Sequence, residues 1–309
     1  MREPPALPAV RVGNVVLPSP ILLASGTAGH SDELAAYMDL SLLGGVVTKS
    51  IAEFEWRGNP APRLHALSGG MINAVGLQGR GVGHWLEHDL PRLRARGARV
   101  VASIWGFRES EFEAAALRLA VVSDQLCAVE INLSCPNVEQ ARSMFAHDAV
   151  QSARVVESVR RALPGAAIWA KLSPNTDRLV EIAGVVTSAG ADGVVLVNTV
   201  LGMVVDTNTR RPVLGNGGGG VSGSAIHAVA VRSVYDVRAA LPGIPIIGVG
   251  GVVCANDALE LMMVGANAVQ VGTATFADPR AALKIQRAML RWAHRRGVTS
   301  WENVIGSAH

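Results

Sequence analysis

The segment AVEINLSCPNVE, residues 128–139, sets a thiol and carboxamides at the end of an apolar run. In an extended strand the side chains alternate between faces. Ile131 and Leu133 then share one face, while Glu130, Asn132 and Ser134 share the other. Pro136 donates no ladder hydrogen bond and biases Cys135 toward extended backbone, so the strand should stop there. Cys135 is thereby presented between Asn132 and Asn137. A free thiol titrates near pH ~8.5, and a thiol at a strand end can serve as a general base. The other reading of a lone cysteine is a small buried hydrophobe, which suits Cys127 and Cys254.

Two cations and a set of amides accompany the thiol. Lys49 and Lys171 each fall near the end of an apolar run, where an ammonium needs an anion or polar partner to offset its desolvation. Lys171 reads either as the ion-pair partner of Glu130 or as a cation beside a ring that gains negative charge on reduction. Asn73, Asn132, Asn137, Asn198 and Thr199 offer donors and acceptors suited to a flat heterocycle carrying carbonyls and N–H groups. The runs GVGG (248–251) and GTA (272–274) place Gly250, Gly251, Gly272 and Thr273 at two late strand ends, where backbone N–H groups can cradle a phosphate. Tight turns alone are the alternative. The run GNGGGG (215–220) reads as a mobile lid segment.

The elements that must hold these groups are eight short Val/Ile/Leu-rich runs: 21–26, 45–50, 99–106, 128–134, 167–173, 193–199, 244–251 and 268–274. Helix-like stretches at 109–124, 148–162, 177–189 and 255–264 alternate with them, and Asp177 and Gly190 punctuate the third. Eight such units predict an α/β fold, a (β/α)8 TIM barrel forming one domain over residues 1–309. A doubly wound open sheet is the alternative. Nearly every run ends in polar or glycine residues, as expected where a barrel gathers its site from C-terminal strand ends. The segment VRVGNVVL reads as an N-terminal hairpin closing the barrel bottom. Two long connections, 51–82 and 200–223, read as loops covering the C-terminal mouth, the second with a hairpin turn near Asn208.

Composition narrows the class. The 309 residues are 49% hydrophobic and 17% charged, enough apolar material for a large core, and the formal charge is only +3. The basic residues are scattered, which argues against nucleic-acid binding. Three cysteines form neither a disulfide framework nor a CxxC cluster, so no metal site is expected, nor a four-cysteine iron–sulfur site in this chain. The N-terminus lacks the apolar core of a signal peptide, and no run approaches the ~20 apolar residues of a membrane span. A soluble cytoplasmic protein is expected.

The motifs ASG, TKS, GGMINAVGLQG, INLSCPN, KLSPN, VNTVLGM, GGVSG, GVGG and GTATFADP occur in this order along nearly the whole chain. In them the sequence resembles the dihydroorotate dehydrogenases, specifically the class 1B catalytic subunit. The resemblance implies FMN as cofactor and oxidation of dihydroorotate to orotate in de novo pyrimidine (UMP) biosynthesis, with Cys135 and Lys171 as catalytic residues. It also implies cofactor contacts from Ser25, Lys49, Ser50, Ser103, Asn132, Lys171, Val197, Gly223, Gly250, Gly251, Gly272 and Thr273. Substrate contacts would come from Lys49, Asn73, Ala74, Val75, Gly76, Leu77, Asn132, Asn137, Asn198 and Thr199. By the same resemblance the chain forms a homodimer, extended to a heterotetramer by a subunit carrying FAD and a 2Fe–2S cluster that passes electrons to NAD. The sequence departs from the family pattern at Ser103 and Trp105, where ASIWG replaces a segment with asparagine. It departs again after the SCPN loop and at LQGRG. These departures keep open a flavin oxidoreductase acting on another pyrimidine, as in dihydropyrimidine dehydrogenases, and a non-catalytic flavin-binding subunit. A phosphate-sugar isomerase on the same barrel is the reading from another class.

Overall fold

A computed structural model describes residues 7–134 and 144–309; Cys135 and Asn137 lie outside the described residues. The strands are β1 (Val10–Val12), β2 (Val15–Leu17), β3 (Ile21–Leu23), β4 (Gly45–Val47), β5 (Leu64–Leu67), β6 (Gly70–Asn73), β7 (Val100–Ile104) and β8 (Ala128–Asn132). They continue with β9 (Ile168–Lys171), β10 (Gly193–Leu196), β11 (Val200–Gly202), β12 (Val205–Asp206), β13 (Arg211–Pro212), β14 (Gly219–Ser222), β15 (Ile246–Val249) and β16 (Ala268–Val271). The helices are α1 (Gly81–His84), α2 (Leu90–Ala95), α3 (Glu109–Leu119), α4 (Ala149–Ala162) and α5 (Leu179–Ser188). After them come α6 (His227–Ala240), α7 (Ala255–Met263), α8 (Ala274–Ala277) and α9 (Ala281–Arg295).

Eight strands close a parallel barrel in the order β3-β4-β7-β8-β9-β10-β15-β16, as the eight apolar runs predict. Every residue of these strands is buried, because side chains alternate between the barrel interior and the surrounding helices. The open-sheet alternative is excluded by the closure of β16 on β3. At the opposite end from the site, the β1–β2 hairpin turns at Gly13. A Cβ there would lie 2.9 Å from the Asp192 carbonyl oxygen, just before β10, so the hairpin seats under the barrel as expected.

One anchoring device occurs twice. Arg160 on α4 donates to the Gly190 carbonyl after α5 and to Asp192, whose carboxylate also accepts from the Ile168 N–H at the start of β9. Arg238 on α6 donates to the Gly265 carbonyl after α7 and to Asn267, whose side-chain oxygen accepts from the Ile246 N–H at the start of β15. In both cases a helix arginine ties the end of the next helix to the foot of the strand that precedes that helix.

The long connections hold a second sheet over the mouth. β5 and β6 form a hairpin, β14 pairs with β6, and β11 pairs with β14, all antiparallel. Ile72, Ala74 and Leu214 make a small core beneath it. The end of the run 215–220, read as a lid segment, belongs to this sheet. Gly219 and Gly220 are paired inside β14, where a Cβ would strike the Asn73 carbonyl oxygen at 2.4 Å or Thr199 Oγ1 at 2.1 Å. The hairpin near Asn208 is present as β12 and β13, and Asp206 accepts from the Asn208 and Thr209 N–H groups.

Two smaller expectations also change. Asp177 does not cap α5, which begins at Leu179 after Arg178, although Gly190 does follow its end with φ +111°. Cys254 is exposed rather than buried, because it precedes α7 and its backbone N–H donates to Asp257. Cys127 does pack partly against the core, and burial pushes its thiol above the usual range.

Candidate active site

Every barrel strand delivers a sequence-predicted residue to one end. Ser25 follows β3, Lys49 and Ser50 follow β4, Ser103 lies in β7, and Asn132 and Lys171 end β8 and β9. Residues 197–199 follow β10, Gly250 and Gly251 follow β15, and Gly272 and Thr273 follow β16.

Within the barrel, Glu130 is fully buried and is met from three other strands. Ser103 Oγ donates to its Oε1 at 3.2 Å, Gln270 Nε2 donates to Oε2 at 2.9 Å, and Lys171 Nζ lies 3.6 Å from Oε1. A buried carboxylate needs this degree of compensation, since loss of one partner of a buried ion pair costs about 3–5 kcal/mol. The expected Lys171–Glu130 pair therefore exists, and it fixes the ammonium at the rim. From Ser103 a hydroxyl chain leads outward: Ser103 to Ser50 at 2.9 Å and Ser50 to Ser25 at 3.3 Å. Asn132 Nδ2 donates to Ser50 Oγ at 3.1 Å, and Asn132 Oδ1 accepts from Asn198 and from the Ser134 N–H. Ser103 is short enough to join this chain, so its place in the family pattern is filled by a hydroxyl bound to protein.

The residues expected on the substrate side lie on a second group of elements. Asn73 ends β6 and donates to the Gly220 carbonyl at 3.2 Å. Residues 74–77 are held from outside: Ala74 N–H bonds the Arg63 carbonyl, the Val75 carbonyl accepts from Asn59 N–H, and the Gly76 carbonyl accepts from Trp56 Nε1. Leu77 adopts φ +62°, a left-handed conformation that a branched side chain takes only when its surroundings impose it. Thr199 N–H bonds Asn198 Oδ1, and Asn175 holds this loop by donating to the Thr199 carbonyl and accepting from Leu201 N–H.

Lys49 differs from Lys171. It is half-buried, and no carboxylate pairs with it among the described residues. Burial first, then the positive charge of Arg63, push its ammonium below the usual lysine range. An anionic ligand would offset both.

The residues also suit a flavin phosphate. Gly250 (φ +141°) and Gly251 (φ +69°) lie on the first turn of α6, where a Cβ would meet Ala230 Cβ or the His227 backbone within 3 Å. Neither the Gly251 N–H nor the Thr273 N–H has an acceptor among the described residues. Gly223 (φ +96°) packs its Cα against Gly70. Val197 is buried, its N–H bonded to the Val249 carbonyl. A separate cavity of about 840 Å³ behind the 73–77 loop is lined by His30, Trp56, Arg80 and His84. None of the expected site residues lines it.

The chain matches the family model for dihydroorotate dehydrogenase over residues 8–292. It belongs to the dihydroorotate dehydrogenase family. Curated relatives of that family include proteins named dihydroorotate dehydrogenase B (NAD(+)), catalytic subunit, from Trichlorobacter lovleyi and Desulforamulus reducens. The first is 41% identical over 299 residues, covering 97% of each chain. The second is 41% identical over 303 residues, covering 97% of this chain and 98% of the relative. The protein of the same name from Oceanobacillus iheyensis is 41% identical over 297 residues, 96% of this chain and 97% of the relative. The family is flavin-dependent. No helix among the described residues is long and apolar enough to cross a membrane, and no group of three metal-ligating side chains occurs there.

Sequence reasoning passed over Gln270 and Asn175. Gln270 was detectable, because AVQV carries one polar residue in an apolar strand. Asn175 was detectable too, because it closes LSPN as Asn137 closes LSCPN.

Proposed function

We propose that this chain oxidises dihydroorotate to orotate in pyrimidine biosynthesis, with flavin mononucleotide as its cofactor. Lys49, half-buried and without a carboxylate partner among the described residues, carries the reading. A substrate bearing a carboxylate supplies the missing anion at a desolvated cation, whereas an uncharged dihydropyrimidine does not.

When bound, the flavin supplies a hydride acceptor. Gly250, Gly251, Gly272 and Thr273 hold its phosphate. Ser25, Ser50, Ser103, Asn132, Val197 and Gly223 contact the rest of it, and Lys171 brings positive charge to the ring. Lys49, the 73–77 loop, Asn132, Asn137, Asn198 and Thr199 orient the substrate. Cys135 takes the proton from one substrate carbon, and hydride leaves the neighbouring carbon with its electron pair. The electrons of the broken C–H bond at the first carbon become the new C=C bond. Residues 1–309 work as one domain, paired in a cytoplasmic homodimer. A second subunit carrying FAD and a 2Fe–2S cluster passes the electrons on to NAD.

Ser103, in place of the family's asparagine, favours the second reading, a flavin enzyme for another pyrimidine. Anaerobic titration of the yellow protein separates them. Bleaching by dihydroorotate with one orotate formed per flavin is the expected result. Bleaching by dihydrouracil but not dihydroorotate would assign the second reading, and a colourless protein that takes up no flavin would refute both.

A further inference from the structure

His227 opens α6, and its ring faces two groups that only accept. Nδ1 lies 2.9 Å from the Gly250 carbonyl oxygen and Nε2 lies 3.0 Å from Glu260 Oε2 on α7. A neutral imidazole carries one N–H and satisfies one of these partners; the imidazolium satisfies both. The His227 side chain is 15% exposed and its contact with Gly250 is partly buried, while the Glu260 carboxylate on the other side reaches solvent. One ring thus ties α6, the turn after β15 and α7 together.

The consequence falls on the Gly251 N–H. Cis bonds occur at 61–62 and 196–197, so the peptide between Gly250 and Gly251 is trans, with its C=O and N–H pointing in opposite directions. Binding the Gly250 oxygen to His227 therefore turns the Gly251 N–H away from His227. That N–H has no acceptor among the described residues. Gly251 also lies so close to the His227 backbone that a Cβ would fall 2.8 Å from its nitrogen. The turn has little room to rotate its peptide plane while this bond holds.

We infer that His227 is a positioning residue for the phosphate end of the cofactor site, its ring holding the Gly250 carbonyl and so fixing the peptide plane that presents the Gly251 N–H. This rests on the flavin mononucleotide reading above. The role predicts a contrast between flavin mononucleotide and riboflavin, which differ only in the phosphate.

The test measures binding of each flavin to the full chain after flavin removal, by fluorescence quenching. His227→Leu, which donates nothing to the Gly250 carbonyl, should weaken flavin mononucleotide binding about tenfold, the loss of roughly one hydrogen bond, and leave riboflavin binding unchanged. His227→Lys, which keeps a donor for the Gly250 carbonyl and for Glu260, should restore most of the loss. Unchanged riboflavin binding also shows that the variant is folded. Equal weakening of both flavins, no weakening of either, or failure of lysine to rescue would overturn the role of His227. A parent chain that binds riboflavin as tightly as flavin mononucleotide would overturn the phosphate reading itself, and the inference with it.

Discussion

Two glycine-rich segments, one after β15 and one in β14, use the same residue type for different work. Gly250 and Gly251 need their positive φ to place a turn on α6. Gly219 and Gly220 are ordinary strand residues, and what they need is the missing side chain, because β14 is squeezed between Asn73 of β6 and Thr199. On the proposed function, the first pair shapes a backbone for an anion. The second brings a sheet close to Asn73 and Thr199, which the same proposal sets on the substrate side. Composition alone cannot separate these uses; the neighbour that a Cβ would strike does.

Breaking each side should give opposite phenotypes. Gly251→Ala imposes a left-handed alanine, at roughly 1–2 kcal/mol, and a contact below 3 Å with the His227 backbone. Flavin mononucleotide retention should fall by about two orders of magnitude, read as flavin per chain after gel filtration. Gly220→Ala should displace Thr199 instead. Its flavin content should be normal while the dihydroorotate KM rises by about tenfold, the effect of a misplaced substrate contact. Flavin loss in Gly220→Ala would erase the contrast.

Lys49→Met should cost substrate affinity yet stabilise the flavin-free protein. The sign follows from its lowered value on folding. At neutral pH the ammonium is charged in both states and its burial penalty is fully present; as pH rises toward the unfolded value of about 10.4, the folded chain binds fewer protons and gains stability. The variant should therefore melt a few degrees higher at about pH 7, on the usual scale for small stability changes, and lose that lead as pH rises. A parent with the higher Tm at neutral pH would show that Lys49 has a carboxylate partner.

The smallest effect is expected at Asp278, beyond the second phosphate turn. Lys284 leads, with Arg280 N–H next, in holding its carboxyl down at about 2. Its contribution is present above the ordinary carboxylate range and is lost as pH falls toward that value. The group is partly exposed and solvent screens its pairs, so Asp278→Asn should leave flavin retention unchanged and lower the neutral-pH Tm only slightly, the difference closing as pH falls toward that value. A loss of flavin in this variant would mean that ion pairs, as well as the glycine turns, hold the phosphate end.

The barrel was legible because its strands are continuous apolar runs buried on both faces, and its site because polar residues interrupt those runs at one end. The sheet over the mouth was not. Its strands GMIN and GGVS have little β propensity, and Asn73 meets Gly220 across 147 positions of sequence. The Lys171–Glu130 pair was readable from adjacent strands, yet nothing in the sequence showed that Ser103 and Gln270 complete it. His227 had no local signal either, since its role depends on a carbonyl and a carboxylate brought from β15 and α7.

The most direct test of the chemistry is stopped-flow reduction of the bound flavin by dihydroorotate, in the parent and in Cys135→Ala. The alanine variant should remain yellow and reduce its flavin about 10²–10⁴-fold more slowly, the usual contribution of a positioned base. An alanine variant that is reduced as fast as the parent would contradict the assignment of Cys135 as the base.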